Sequence, residues 1–388
     1  MRVVVSSVGG FHHFELAGEL HRRGALERLY TGYPRSRVRG VPLERVETFP
    51  YVVAPATLLY RWGWPSLADR LSWSAHESLD AWVARRLPAC DVFVANHANG
   101  LRSFGAAASA GARCVADCGQ AHVEFVREAL REEYRRWDVP YGDYPPPALA
   151  KRLAEYERAD LITVPSEFCR RTFADRGLGA KTAVAPYGVD LEAYHPEPRR
   201  PTRFEVLYVG ALTLRKGFPY LLQALEHGRP RDIDVTFVGA RSQEAAGVLG
   251  RFGHVGFRER GHLPRATLHQ AYSQAGVMVL PSLVEGLALV IAQAMACGLP
   301  VIATPNTGAE DLITDGIEGF IVPPRDPKAI RERVMALYES PQRREAMGAA
   351  ALARARSLGG WTTYGDRVMA AYEAVIRRPA ARLASQPA

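Results

Sequence analysis

The sequence predicts an α/β protein made of two domains, each a parallel sheet covered by helices. The chain has 388 residues, which is more than one ordinary hydrophobic core organises. Short β-branched runs alternate with helical segments along the chain, and this alternation is typical of parallel sheets. The stretch 277–304 shows the pattern most clearly and is the centre of the prediction.

The stretch 277–304 is predicted to be one strand–helix–strand unit. Both of its ends are apolar runs that contain β-branched residues. Between them, 287–297 is apolar on every side except at Gln293, and a glycine and a proline at Gly298 and Pro300 then end the helix. A helix that is apolar all round is buried, so this unit belongs inside a covered parallel sheet.

Two polar residues, Glu285 and Gln293, stand out in this unit. Glu285 follows the first strand, and ligands of open α/β sheets bind beyond the carboxyl ends of strands. A buried amide such as that of Gln293 needs hydrogen-bond partners from the protein or from a ligand. The alternative is structural, because Ser282 and Glu285 match a capping box, but Gly286 would then fall inside the first helical turn. We therefore favour a ligand-binding role.

The remaining elements follow in order from apolar runs and their end signals. The first domain is predicted to contain strands at 2–6, 90–95, 111–116, 161–165 and 181–184, and helices at 11–23, 125–137, 149–159 and 166–177. The second is predicted to contain strands at 204–209, 233–238, 277–280 and 301–304, and helices at 218–226, 268–275, 287–297, 327–338, 342–356 and 361–377. The stretch 30–87, rich in arginine and aromatic residues, is compatible with core helices, a peripheral membrane patch or an acceptor surface.

Two loops have the composition of phosphate-binding sites. Gly9 and Gly10 lie between the first strand and its helix, without the G-x-G-x-x-G spacing of dinucleotide-binding proteins. Arg215 and Lys216 lie between a strand and a helix N-terminus in the second domain, where cations and backbone N–H groups together suit a diphosphate. The alternative for Arg215 and Lys216 is a pair of solvated surface cations.

Two strand ends in the first domain each lead to a histidine, His97 and His122. Taken alone, either is more often a hydrogen-bonded structural residue than a catalytic one. The composition limits the possible ligands. The net charge of +8 suits phosphate-bearing ligands or an anionic membrane surface. The sequence has no compact basic block of the kind that binds nucleic acid. Five cysteines without zinc spacing, no apolar run of membrane-spanning length and no signal peptide predict a cytoplasmic protein.

These segments carry a family resemblance over nearly the whole chain. The stretch around Glu285 resembles the Glu-x7-Glu signature of the retaining nucleotide-sugar glycosyltransferases of family GT4, here read as Glu285-x7-Gln293. The loop that holds Lys216 resembles the same family's G-R-L-x3-K-G pattern, with Ala211 in place of its first arginine. The amide at Gln293 can bind ribose hydroxyls but cannot act as a base.

The resemblance implies the GT-B fold, with two Rossmann-like βαβ domains facing a central cleft. The acceptor-side domain is expected at 1–195 and the nucleotide-sugar-binding domain at 202–360. A C-terminal helix, 361–377, is expected to cross back to the first domain, and 378–388 to be a disordered tail.

The resemblance also implies roles for individual residues. His122 is the first choice as the catalytic histidine, with His97 in reserve and Glu285 as the catalytic carboxylate. The remaining implied contacts are to the donor diphosphate (Gly9, Gly10, Arg215, Lys216) and to the sugar and ribose (Glu285, Gly286, Leu287, Gln293).

The implied activity is transfer of a hexose from a nucleoside-diphosphate sugar to a glycan, lipid-linked or small-molecule acceptor, as in polysaccharide biosynthesis. Retention of configuration, no cofactor and no required metal are expected. The expected partners are the donor and the acceptor but not nucleic acid, with peripheral association at the inner face of a membrane. Two alternatives stay open: a catalytically silent sugar-nucleotide-binding protein, and an epimerase or phosphorylase on the same fold.

Overall fold

The computed structural model describes residues 1–49, 51, 55, 58–59, 64–198 and 203–379. The predicted tail beyond 379 and part of the predicted linker, 199–202, lie outside the described residues. Two parallel sheets account for every strand pair in the described part of the chain, and helices lie between successive strands.

The first sheet has seven strands in the order β3-β2-β1-β4-β5-β6-β7. Its strands are β1 (Val3–Ser7), β2 (Leu26–Thr31), β3 (Val46–Thr48), β4 (Val92–Asn96), β5 (Arg113–Asp117), β6 (Leu161–Val164) and β7 (Thr182–Val184). The helices of this half are α1 (His13–Arg22), α2 (Pro65–Ala84), α3 (Leu101–Ser109), α4 (Val123–Arg136), α5 (Pro146–Arg158) and α6 (Glu167–Ala174).

The second sheet has six strands in the order β10-β9-β8-β11-β12-β13. Its strands are β8 (Phe204–Val209), β9 (Ile233–Val238), β10 (Arg258–Glu259), β11 (Val277–Leu280), β12 (Val301–Ala303) and β13 (Gly319–Ile321). The helices are α7 (Phe218–Leu225), α8 (Gln243–Gly250), α9 (Arg265–Gln274), α10 (Leu289–Ala296), α11 (Pro327–Tyr338), α12 (Pro341–Leu358) and α13 (Trp361–Arg377).

The predicted central unit is confirmed, because β11, α10 and β12 follow one another and β11 pairs in parallel with β12. All four residues of β11 and all three of β12 are buried, which agrees with a sheet covered on both faces. Among the elements that the fold prediction did not include are strands β2 and β3 and helices α3 and α8. Strand β2 reads LERLYT, and the adjacent charged residues Glu27 and Arg28 interrupt the apolar pattern of a strand that is otherwise buried.

The last helix, α13, returns from the second half of the chain to pack on α1 of the first. Arg23 on α1 donates to Asp366 on α13 over 2.6 Å and to the carbonyl oxygen of Thr362 over 2.8 Å. Gly188 makes the crossing possible, since a Cβ there would lie 2.3 Å from the backbone of Gly360 and Trp361. The expected C-terminal crossing is therefore confirmed.

A second connection between the halves runs along α4. The buried carboxylate of Glu133 accepts hydrogen bonds from Tyr220 on α7 over 2.7 Å and from Arg325, after β13, over 2.8 Å. Tyr134 donates to Glu244 at the start of α8. These contacts hold α4 against the loop edge of the second sheet, so the cleft lies between the carboxyl ends of both sheets.

Candidate active site

The strand order of the second sheet reverses between β8 and β11, and the loops after these two strands meet there. Such a reversal is where open α/β sheets bind ligands. Lys216 follows β8, and its Nζ lies 2.7 Å from Oε1 of Glu285, which follows β11. This contact is an ion pair that joins the two loops. The structure thus brings two of the predicted site residues together.

Arg215 fixes the loop that holds Lys216. Its Nε donates to the carbonyl oxygen of Val284 over 2.8 Å, and its own carbonyl oxygen accepts from the N–H of Leu283 over 2.8 Å. A guanidinium nitrogen of Arg215 lies 4.0 Å from Glu285. Arg215 therefore ties the two ligand loops together and adds a second cation to the site.

Gly286 and Leu287 follow Glu285 in the same loop. Helix α10 begins only at Leu289, so Glu285 is not part of its first turn and the capping-box interpretation is wrong. The side chain of Leu287 is buried, with its Cδ1 2.8 Å from the position that a Cβ on Gly308 would take. Any contact of Leu287 with a sugar would therefore use its backbone.

Gln293 lies within α10, and its carbonyl oxygen accepts a hydrogen bond from the buried hydroxyl of Tyr272 over 3.2 Å. The protein thus supplies a hydrogen-bond partner for the carbonyl oxygen of this amide. The amide NH₂ remains a donor of the kind that a ribose oxygen accepts.

The strand order of the first sheet reverses between β1 and β4, and the predicted glycine loop follows β1. A Cβ on Gly9 would meet nothing within 4 Å, whereas one on Gly10 would press against Phe14. The next residue, Phe11, is 65% exposed and covers the start of α1. The loop thus has open space at Gly9.

Three buried residues that the sequence analysis missed lie beside this loop: His12, His13 and Asp117. The Nε2 atoms of His12 and His13 lie 2.7 Å and 3.2 Å from Oδ2 of Asp117. Its other carboxylate oxygen accepts from Thr163 over 2.8 Å. The available signal was positional, because the histidines follow the glycine loop and Asp117 ends a strand.

Protonation in this cluster follows from burial and from charge. Burial alone would raise the pKa of Asp117, but the two imidazoles more than reverse this and lower it well below its usual range. Burial lowers the pKa of His13 to about 4. Asp117 is therefore an ionised carboxylate that the protein encloses.

His122 and His97 lie close to one another, on the ring of Tyr156. The ring of His97 stacks on Tyr156 at 4.4 Å between centroids, and that of His122 lies at 4.8 Å. Burial lowers the pKa of His122 to about 4 and that of His97 well below its usual value. His122 also caps α4, since its Nδ1 accepts from the N–H of Glu124 over 3.3 Å. Both rings are thus neutral groups that the first domain encloses.

The two halves meet directly at the signature loop. Ser166, the N-cap of α6, donates to the carbonyl oxygen of Gly286 over 2.7 Å. A Cβ on Gly286 would lie 2.0 Å from the carbonyl oxygen of Gly119 in the first half. The carboxylate of Asp311, in the second half, accepts from the N–H of Glu167 over 2.9 Å. This carboxylate therefore caps helix α6 across the cleft.

Two covered parallel sheets whose strand-order reversals face one cleft define a GT-B protein. Solved structures share this fold over almost their whole length. Sucrose-phosphate synthase from Thermosynechococcus elongatus superposes with a TM-score of 0.73 at 20% identity, covering 97% of this chain and 99% of that one. HepE from Anabaena, solved with UDP and glucose, gives 0.71 at 17% identity, covering 96% and 100%.

Family models identify the group more narrowly. The model described as Glycosyltransferase Family 4 matches residues 10–193, and that described as Glycosyl transferases group 1 matches residues 192–354. The chain therefore belongs to the family 4 glycosyltransferases, as the signature around Glu285 indicated.

Curated relatives match over part of their length. A GDP-mannose-dependent alpha-(1-6)-phosphatidylinositol monomannoside mannosyltransferase of Mycolicibacterium smegmatis is 33% identical over 235 residues, 54% of this chain and 61% of that protein. D-inositol 3-phosphate glycosyltransferase 1 of Catenulispora acidiphila is 30% identical over 262 residues, 61% of this chain and 62% of that protein. The matched region thus spans about three fifths of each relative.

Proposed function

We propose that this protein transfers a hexose from a nucleoside-diphosphate sugar to a hydroxyl group of an acceptor, with retention of anomeric configuration. The observation that carries the proposal is the 2.7 Å contact between Lys216 and Glu285 where the second sheet reverses its strand order. A cation there suits the diphosphate, and a carboxylate beside it suits the sugar hydroxyls. Relatives named as sugar transferases and a neighbour solved with UDP and glucose support this assignment.

The donor would exchange the contact between Lys216 and Glu285 for two new ones. Lys216 and Arg215 would turn to the diphosphate, which releases Glu285 to accept from the sugar hydroxyls. Gly9 would let the diphosphate approach the backbone of the facing loop. The amide of Gln293 would donate to the ribose, while Tyr272 holds its carbonyl oxygen.

The chemical demand on the site is to stabilise the departing nucleoside diphosphate. Preorganised cations and N–H groups do this best, because they pay no reorganisation cost during the reaction. Lys216 and Arg215 supply the charge, so we expect turnover to persist in excess EDTA. The acceptor oxygen bonds to the anomeric carbon as the bond from that carbon to the phosphate oxygen breaks. The acceptor proton passes to the diphosphate that leaves.

We expect a lipid-linked or glycan acceptor, approached from the first domain near an anionic membrane surface. Large apolar side chains are exposed there: Tyr51 at 76%, Trp64 at 62% and Leu58 at 44%. Arginines at 35, 37 and 39 are exposed nearby in sequence. No helix among the described residues is long and apolar enough to cross a membrane. Sedimentation with anionic but not neutral vesicles tests this proposal, and equal binding to both would contradict the charge argument.

The donor assignment is tested by thermal shift against UDP, GDP, ADP, TDP and their sugar conjugates. A ligand at about 100 times its dissociation constant adds about 2.7 kcal/mol of apparent stability. We expect one base to stabilise the protein, and Lys216→Ala to abolish that shift. Lys328→Ala is the matched control, because Lys328 is 86% exposed and its nearest acid, Glu332, is 4.0 Å away.

The outcomes separate the alternatives. Stabilisation without turnover of the sugar conjugate would support a silent binding protein, an alternative that Gln293 and Ala211 favour. No stabilisation by any nucleotide would contradict the proposed function.

A further inference from the structure

Among the buried polar atoms that have no hydrogen-bond partner in the described part of the chain are Nδ1 of His12 and the hydroxyl oxygen of Tyr187. Both belong to residues at most 7% exposed. Buried polar groups are nearly always paired, because leaving one unpaired costs about 1–3 kcal/mol. Two such atoms in one place therefore require an explanation.

The two groups converge on Gly119. A Cβ built on this glycine would lie 3.2 Å from the Tyr187 hydroxyl oxygen and 3.5 Å from Cε1 of His12, the carbon bonded to Nδ1. The two rings pack together at 4.5 Å between centroids. A side chain on Gly119 would therefore crowd both rings, and this glycine lies at contact distance from both unpaired groups.

Asp117 determines what His12 can do at this place. An ionised carboxylate only accepts hydrogen bonds, so the 2.7 Å contact with Asp117 places the hydrogen of His12 on Nε2. A neutral imidazole with its hydrogen on Nε2 offers a lone pair at Nδ1. In its neutral form, His12 therefore offers an acceptor at Nδ1 beside Gly119.

Tyr187 supplies the complementary donor. Burial, followed by the charge of Asp117, raises the pKa of Tyr187 well above its usual value. The phenol therefore keeps its hydrogen at any physiological pH. One acceptor and one donor side by side match an alcohol, which donates one hydrogen bond and accepts another.

We infer that His12 and Tyr187 bind the attacking hydroxyl group of the acceptor, with Asp117 as the positioning residue that sets the tautomer of His12. This inference rests on the proposed function and adds the acceptor side of the site. The carbonyl oxygen of Gly119 lies against Gly286, next to Glu285, so the bound hydroxyl would lie beside the sugar-binding loop.

Phe11 covers this subsite. Its ring is 65% exposed and packs edge-on against His12 and Tyr187, at 5.1 Å and 5.8 Å between centroids. Rotation of Phe11, which follows the open glycine loop, would admit a hydroxyl group. The subsequent step is that of the proposed function: the hydroxyl oxygen bonds to the anomeric carbon, the diphosphate leaves with the bonding electrons, and the proton follows it.

The test uses the full chain, two variants and water as the smallest hydroxyl acceptor. Hydrolysis of the nucleotide sugars of the thermal-shift screen to free sugar is followed by NMR. We expect Tyr187→Phe to lower this turnover about tenfold, the effect of one hydrogen bond, and His12→Gln to lower it further. The nucleotide-induced thermal shift should persist in both variants.

The matched control is Tyr30→Phe. The Tyr30 hydroxyl is also buried, but it has a partner, since it donates to the carbonyl oxygen of Arg86 over 2.7 Å. Tyr30→Phe should therefore lower the melting temperature and keep wild-type turnover. Tyr187→Phe should show the reverse, an unchanged melting temperature and a turnover about tenfold lower, which a purely structural tyrosine would not show.

The other outcomes would each contradict the inference. Wild-type turnover in both variants would overturn the inference and leave the proposed function intact. Nucleotide binding by the wild type without any hydrolysis would overturn it as well. If the wild type binds no nucleotide, the proposed function fails, and the inference fails with it.

Discussion

The two halves of the cleft differ in how they keep their polar groups. In the second half, the side chains of Lys216 and Glu285 are 24% and 14% exposed and face one another across two loops. In the first half, those of His12 and Asp117 are 1% and 7% exposed and form a hydrogen-bonded cluster. If the second half binds the charged diphosphate, as proposed, its charges lie near water, where they can change partners at small cost. If the first half binds a neutral hydroxyl group, it can enclose its polar groups.

The largest effect is expected in the more exposed half. Glu285→Gln should lower donor turnover about 10²–10³-fold, as removal of a transition-state contact does. The affinity for the nucleoside diphosphate alone should stay the same or increase, because the carboxylate of Glu285 no longer competes with the diphosphate for Lys216 and Arg215. Initial rates and thermal shifts measure both quantities, with the exposed Glu332→Gln as control. A decrease in turnover of less than tenfold would contradict the larger role given to the more exposed half.

Asp117→Ala should be the most destabilising change in the enclosed half. It removes the acceptor of two imidazoles and of Thr163, and leaving buried partners unpaired costs roughly 3 kcal/mol. Urea unfolding measures this loss. Asp366→Ala is the control, since Asp366 is 68% exposed and its pair with Arg23 should contribute about 1 kcal/mol or less. Equal losses would show that enclosure does not distinguish the halves.

The enclosed half should also determine the acid sensitivity of the protein. Burial lowers the pKa of His13 and of His122 to about 4, whereas an unfolded chain binds these protons near pH 6.5. Stability is therefore complete above pH 6.5 and is lost as pH falls towards 4, by about 1–2 kcal/mol per histidine at pH 5. Burial raises the pKa of Glu155 to about 7, which opposes this trend in part.

Melting curves between pH 7 and pH 5 measure this dependence. His122→Gln should flatten it, whereas His227→Gln, at a side chain 90% exposed, should not. A wild-type melting temperature that is constant over this range would contradict the role given to burial.

The smallest effect is expected at Gln293, where the chain departs from its family. Gln293→Glu restores the family's second acid, and Tyr272 can donate to either side chain. Nucleotide affinity should therefore change less than about threefold, or about 0.7 kcal/mol. Thermal-shift titrations measure it, and a change above tenfold would show that the charge, not the acceptor oxygen, matters here.

The fold was predictable where apolar residues recur with the spacing of a strand or a helix and the segment has clear end signals. Strands β8, β9 and β11 and helix α13 begin and end where the sequence predicts. The prediction failed at β2 and β3, whose residues are apolar only in part, so the pairing of β2 with β1 and of β3 with β2 decides their structure. Tertiary contact of that kind is not visible in a local pattern.

The site was predictable where one short segment carries it. Glu285 and Lys216 lie in glycine-bearing loops whose spacing is recognisable, and the structure joins them. The pair of His12 and Asp117 is separated by 105 positions, and Tyr187 lies on a third segment. His12 follows β1, Asp117 ends β5 and Tyr187 follows β7. These residues come together only because β1 and β5 lie on either side of β4 in the sheet and the end of β7 lies at the same edge.

The contact between Gly119 and Gly286 sets how closely the two halves of the protein can approach each other. The missing side chain of Gly286 lets the backbones of the two halves touch, and one added methyl group at position 286 would overlap the carbonyl oxygen of Gly119. Gly286→Ala would therefore act as a wedge that holds the halves apart by about the width of that methyl group. A protein wedged in this way offers a stable form in which each half can be titrated with its own substrate.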